Sequence, residues 1–274
     1  MVNIENFTDI IYEKEDNGIC IATISRPERR NAISQLTWLE LETILADMEQ
    51  DRNAKVLIIT GDPKGRAFSS GGYFDPKSAE MIPENTKKEI DFTDRARIKT
   101  VDALFSFSKP VIAAINGIAI GGGITMPLVG ADLIYMAEDA WIGFYFVKRG
   151  VIAEFASSFL LPFYVGFQKA KELVYFGDKI TAQQALELRL VNKILPKDEL
   201  IPYAREQALR LIPPKGPSRA INLMKKTMHA YFREILATTV KLENEGWKIL
   251  STSKDMVEST KALKEKRDPV FIGK

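Results

Sequence analysis

The chain has 274 residues, 46% of them hydrophobic and 27% charged, and its 38 basic and 36 acidic residues leave a formal net charge of +2. These values suit one large globular domain, or one domain with a helical annex, and give nucleic acid no electrostatic case as the main partner. Single copies of cysteine (Cys20) and histidine (His229) exclude an intrachain disulfide, Ser-His-Asp or Cys-His catalysis and His-rich zinc sites, leaving chemistry to carboxylates, hydroxyls, backbone groups and basic side chains.

The N-terminal MVNIENFTDIIYEKEDNG lacks the basic start, apolar core and small-residue cleavage site of a secretory leader. Longer apolar stretches are interrupted by Gly, Asn and Pro, so no membrane span is expected, and a cytoplasmic setting is. DIIYEKE and GICIATIS read as strands, with Cys20 a packed core thiol. Ser34 then caps a helix over QLTWLELETILADMEQ, whose apolar residues recur at helical spacing. KVLIIT is the next strand, and a helix over roughly 87–107 precedes Lys109-Pro110. PVIAAI and DLIYMA complete the strand set. Short apolar strands alternating with helices predict parallel pairing through crossovers.

The second half changes character. QKAKELVYFG, TAQQALELR, DELIPYAREQALRLI and the run from about 217 to 250 read as helices, with Thr181 and Gln184 forming a capping box. VNKI is one short strand among them, and His229 takes a surface or packing role. No repeat or linker divides the chain. The reading is an α/β core over residues 1–200 followed by a helical region over 201–274.

Two glycine clusters follow strand ends: AFSSGGYF after KVLIIT, and NGIAIGGGITM after PVIAAI. Open α/β sheets bind ligands at such places, and glycine lets backbone approach a substrate closely. Tight turns and close packing account for either cluster taken alone. Neither is a phosphate loop, since no Lys-Ser or Lys-Thr follows, and GxGxxG spacing is poorly matched. A further oddity is VIAEFASSFLLP, which sets Glu154 in an apolar run. Burying an unpaired carboxylate is costly, so Glu154 is either an exposed acid at a helix start or a base in a dry pocket.

Taken in order, RPERRNAIS, KVLIITG with FSSGG, KPVIAAINGIAIGGG, GDKITAQQALELRLVNKILP and KEKRDPVFIGK resemble the crotonase superfamily of enoyl-CoA hydratases and isomerases across essentially the whole chain. The resemblance implies a ClpP-like spiral of ββα turns, an α/β class, with C-terminal helices that trimerise; many relatives are dimers of trimers, so a homotrimer or hexamer is implied. It implies an acyl-CoA thioester as substrate, no metal, and no cofactor beyond the coenzyme A of that thioester. The backbone donors of the family's oxyanion hole fall at Gly72 and Gly122, where an enolate oxygen needs fixed N–H groups.

The familiar hydratases carry two glutamates, and the matching positions here are Thr125 and Phe146. AEFASSFLLP is similar to the PExxSSxxLP segment of Δ3,Δ2-enoyl-CoA isomerases, which carries the catalytic base over to Glu154, with Ala153 in place of the usual proline. One base suffices for an isomerase, taking a proton from C2 and returning it to C4. The resemblance places Arg29 and Arg30 in the region that contacts the coenzyme A nucleotide and Lys266, Arg267 and Phe271 in the tail that covers its adenine end, with Ala32 and Ser70 among the substrate-binding residues. Tyr73 stands where relatives carry Asp, and Phe74, Phe144, Tyr145 and Phe146 are candidates for an aromatic acyl pocket. Two alternatives stand beside the isomerase: a hydratase or related enzyme acting on a cyclic or aromatic acyl-CoA, and a non-catalytic homologue that binds acyl-CoA or RNA.

Overall fold

The computed structural model describes residues 3–72, 82 and 84–274, so Tyr73 and Phe74 lie outside the described residues. Its main sheet has six strands: β1 (Ile10–Lys14), β2 (Ile19–Ile24), β3 (Val56–Gly61), β5 (Val111–Ile115), β7 (Leu133–Ala137) and β10 (Lys193–Leu195), in the order β1-β2-β3-β5-β7-β10. Within this sheet, among the described residues, β1 pairs antiparallel with β2, while β2, β3, β5, β7 and β10 are parallel neighbours. β3 and β5 are buried along their whole length, as continuous apolar runs in a two-sided parallel sheet should be. Cys20 is among the buried residues of β2.

A second, smaller sheet was not visible in the sequence. It contains β4 (Ala67–Ser69), β6 (Ile118–Ile120), β8 (Trp141–Gly143) and β9 (Ile180–Thr181), in that order. β3 leads into β4, β5 into β6 and β7 into β8, and each pair is followed by helix. The chain therefore winds as successive ββα turns. α4 (Gly122–Gly130) follows β6 and α5 (Ser157–Val165) follows β8.

α1 (Gln35–Gln50) starts with the expected Ser34 cap, completed by a reciprocal bond with Thr37; both hydroxyls also donate to the buried Asp9 carboxylate. The helix expected over roughly 87–107 is instead two pieces, α2 (Glu84–Lys87) and α3 (Ile98–Ser106). Asp91 and Asp94 explain the break. Asp91 accepts from the Thr93 N–H in a turn, and Asp94 accepts from the N–H groups of Ile98 and Lys99, opening a new helix. Short polar side chains thus outcompete helix continuation across 88–97.

Further helices are α6 (Phe167–Phe176), α7 (Ala182–Glu187), α8 (Lys197–Leu211), α9 (Ser218–Ala230), α10 (Arg233–Leu250) and α11 (Lys254–Glu265). The Thr181–Gln184 capping box forms as read. α8 packs on β3, β5 and β7. α9 ties to the core through Lys225, whose buried ammonium donates to the Lys109 carbonyl and to Asp132 at 2.8 Å. His229 stacks on Phe105 with ring centres 4.1 Å apart, a packing role. No helix among the described residues is long and apolar enough to cross a membrane.

Candidate active site

Parallel pairing of β4 with β6 sets the two glycine clusters side by side. Both are packed too closely for side chains. A Cβ on Gly71 (φ +91°) would lie 2.6 Å from the Ile120 carbonyl oxygen, and one on Gly123 would lie 2.5 Å from that of Ser69. The Ile33 N–H donates to the Gly71 carbonyl and Ile33 bridges Gly72, which fixes the first cluster from its other side. Gly122 is the first residue of α4. Its N–H belongs to the first turn, where no intrahelical acceptor exists and the helix dipole presents positive charge.

The Glu154 segment reaches the same place from β8. Phe155 and Ala156 both take left-handed backbone (φ 61° and 52°), reversing the chain just before α5. The reversal points the Glu154 side chain inward rather than to solvent. It is 7% exposed, so it is not the surface acid of a first helical turn. Its Oε1 lies 2.9 Å from where a Cβ on Gly122 would sit, and the Trp38 ring edge lies 3.5 Å from the same point. Trp38 packs on Phe155 at 4.9 Å between ring centres, walling the carboxylate with aromatic surface. This burial pushes the Glu154 carboxyl up to about 7; the Arg97 charge pulls it back, and the charges of Glu243 and Asp94 push it further up. Arg97 donates to Gln35 Oε1 and stands 5.8 Å over the Trp38 ring.

Thr125 and Phe146 supply no acid here. Thr125 is buried within α4 and its hydroxyl donates to the Gly121 carbonyl at 3.2 Å. The Phe146 ring edge comes within 3.7 Å of a Cβ position on Gly121. Two clefts lie nearby, the first of them lined by residues of the segment. One of about 390 Å³ is lined by Phe146, Ile152, Ala153, Ser157 and Leu161, and one of about 620 Å³ by Gln35, Trp38, Arg97 and Asn244. Among the described residues, no group of three His, Cys, Asp or Glu side chains could hold a metal ion.

The family model described as enoyl-CoA hydratase/isomerase matches residues 14–274. The chain belongs to that family, within the crotonase superfamily. It is 28% identical to the 1,2-epoxyphenylacetyl-CoA isomerase of Escherichia coli, over 97% of this chain and 99% of that protein. It is 30% identical to the crotonyl-CoA hydratase of Syntrophomonas wolfei, over 98% of this chain and 99% of that one. Among solved structures, the enoyl-CoA hydratase/isomerase of Pseudoalteromonas atlantica superposes with a TM-score of 0.84 at 26% identity, covering 97% of this chain and 100% of that one.

The remaining residues expected in this crotonase fall into two places. Ser70 bonds the turn that carries Arg29 and Arg30: its hydroxyl donates to the Arg29 carbonyl and its N–H to the Arg30 carbonyl, both at 3.1 Å. Ala32 is buried beneath that turn, and both arginines are exposed. Asn31, fully buried at φ 54°, locks the turn by donating to the Asp62 and Ala67 carbonyls and accepting from the Arg26 N–H. Arg29, Arg30, Ala32 and Ser70 are therefore neighbours of the first glycine cluster. Lys266 and Phe271 are elsewhere. Their tail folds back along α11, with Val270 donating to Glu258 and Ile272 and Gly273 donating to Asp255, and Ser259 of α11 donates to the Arg149 carbonyl. Phe144 is buried in the core, and Tyr145 packs by Trp141 at 5.8 Å between ring centres rather than by the glycines.

Two residues near Glu154 escaped the sequence reading. Glu243 and Asn244 of α10 are both buried. Glu243 accepts from the N–H groups of Ala156 at 2.7 Å and Ser158 at 2.9 Å, and Asn244 accepts from those of Arg95 and Ala96. A signal existed. Leu236, Val240 and Trp247 form a buried stripe at helical spacing, and positions 243 and 244 fall inside it.

Proposed function

We propose that this crotonase shifts the double bond of an enoyl-CoA, with Glu154 as the acid/base and the N–H groups of Gly72 and Gly122 holding the thioester oxygen. One observation carries the reading: the Glu154 carboxylate is buried against Gly122, at the open end of α4. Deprotonation beside a thioester carbonyl creates an enolate, whose oxygen needs donors already in position; one such donor is worth about 10²–10³ in rate. Glu154 would take the proton from C2 of a 3-enoyl thioester as the C3–C4 π electrons and the C2–H pair become delocalised over the dienolate. Returning the same proton to C4 gives the 2-enoyl isomer, with Glu154 again ionised. A carboxyl with a pKa near 7 suits both halves of that transfer. The acidless positions Thr125 and Phe146 favour this one-base route over water addition by two glutamates. The exposed Arg29 and Arg30 beside Ser70 suit the phosphates of coenzyme A. A homotrimer or hexamer, with the helices of 201–274 packing between subunits, belongs to the same proposal.

A second reading has its own support. Trp38, Phe155 and Phe146 surround the base and glycine turn with rings, which suits a cyclic or aromatic acyl group, and a relative at 28% identity is named for an epoxyphenylacetyl thioester. Purified enzyme and Glu154→Gln should be compared on linear and cyclic 3-enoyl- and 2-enoyl-CoA panels. The expected result is isomerisation by the native enzyme and a loss of about 10²-fold or more in the variant, with binding of CoA esters retained. Full activity in the variant removes Glu154 from the mechanism, and hydration without isomerisation replaces the first reading by a hydratase.

A further inference from the structure

The two residues after the buried Glu154 take left-handed backbone, and left-handed φ at Phe155 and Ala156 is unfavourable for residues with a Cβ. Something must hold it. The groups that do so come from a distant part of the chain, the adjacent pair Glu243 and Asn244 on α10. Glu243 accepts from Ala156 N–H (2.7 Å) and Ser158 N–H (2.9 Å), so one carboxylate spans the reversed residue and the first turn of α5. Asn244 Oδ1 accepts from Arg95 N–H (2.7 Å) and Ala96 N–H (3.1 Å), and the Ala96 carbonyl accepts in turn from Phe155 N–H (3.4 Å). The two loops flanking the base are thus bonded to each other and to one dipeptide of α10. Glu243 is 1% exposed, with no basic partner within ion-pair distance among the described residues, so its acceptor capacity is directed at this backbone and at the Ser158 side chain.

We propose that Glu243, seconded by Asn244, is a positioning residue for Glu154: it clamps the 155–158 reversal so that the Glu154 carboxylate meets the substrate at Gly122. The proposal rests on the reading of Glu154 as the base. Glu243 also acts at a distance, since its charge stands with that of Asp94 against ionisation of Glu154, while Arg97 favours it. A merely structural cap would affect folding; a positioning clamp affects kcat and the pH at which the base ionises.

The test compares native enzyme with Glu243→Gln, Glu243→Asp and Glu154→Gln on the same 3-enoyl-CoA, with circular dichroism confirming the fold. Glu243→Gln removes the charge and replaces one acceptor oxygen by an NH₂ facing a backbone N–H. The expected result is a fall of about 10–100-fold in kcat with KM within about twofold, as a misplacement of up to an ångström would produce, and a lower pH midpoint for kcat/KM. Glu243→Asp keeps the charge but retracts it by one methylene, and should lose kcat without lowering that midpoint; it carries the test if the Gln variant fails to fold. Native-like kcat in the folded Glu243 variants, or a Gln variant whose pH midpoint stays put, overturns the clamp. An inactive Glu154→Gln beside native-like Glu243 variants overturns the clamp alone, whereas a fully active Glu154→Gln overturns the base reading beneath it.

Discussion

Gly122→Ala isolates the geometry on which the proposed chemistry depends. Gly122 has ordinary helical backbone at the start of α4, so alanine adopts its dihedrals without strain and gains up to about 1 kcal/mol of helix propensity. The added methyl, however, arrives 2.9 Å from Glu154 Oε1 and 3.5 Å from Trp38. A relaxed contact with the carboxylate begins at about 3.4 Å, so the oxygen must retreat by about 3.4 − 2.9 = 0.5 Å. If a 1 Å misplacement costs about 10²-fold, half of it costs about 10-fold, or ~1.4 kcal/mol of transition-state stabilisation. Thermal melting should therefore be unchanged or slightly raised while kcat falls about 10-fold or more on a 3-enoyl-CoA. Gly123→Ala is the contrast: its methyl meets a backbone oxygen at 2.5 Å, which cannot retreat, so stability drops by about 1–3 kcal/mol. Native kcat in Gly122→Ala would refute the claim that Glu154 works against this glycine.

Three other outcomes are expected. The kcat/KM profile should rise with pH to a plateau with a midpoint near 7, because the base must be ionised; Glu154 and Glu243 interact, so the midpoint belongs to the pair, and a profile flat from pH 5 to 8 contradicts a carboxyl base. Thermal stability should fall over the same range. Burial pushes Glu40, Glu154 and Glu243 up to about 7, so the folded chain holds protons that the unfolded chain releases above about 4.5, and stability present below that pH is lost as pH rises through 7. Melting that is level from pH 5 to 8, or a slope no smaller in Glu154→Gln, would contradict this. Asn31→Ala strips partners from two carbonyls and an N–H, at about 3 kcal/mol or more, which lowers Tm by roughly 6–12 °C, and calorimetry reads it.

The main sheet was legible because its strands are long apolar runs bounded by turns, a pattern that one sequence carries in full. The second sheet was not, since β4, β6 and β8 are three residues each and owe their existence to pairing across the spiral rather than to local preference. The glycine clusters and Glu154 were legible through resemblance, and the fold brings Gly122 and Glu154 together. The inward direction of Glu154 was not: it depends on left-handed backbone at Phe155 and Ala156, types that rarely signal it. Glu243 and Asn244 lay hidden for a related reason. An acid and an amide in a charged helix read as solvent-facing, and only the loops they cap, some 85 and 148 residues away in sequence, give them a buried purpose.

The location of Glu154 also bears on how a dry site could tolerate the reaction's charge. On the proposed reading the pocket holds one negative charge throughout: on Glu154 before proton transfer, on the thioester oxygen afterwards. Both positions lie at the first turn of α4, where unpaired N–H groups and the helix dipole favour an anion, so the same fixed dipoles serve reactant and enolate. Charge moves by a few ångströms between neighbouring points of one field, and little solvent has to reorganise. A second carboxylate in direct contact with substrate would spoil that balance by adding a charge that the helix end could not also hold. Glu243 avoids this by spending its oxygens on two backbone N–H groups behind the loop, and Thr125 and Phe146 avoid it by carrying no charge at all.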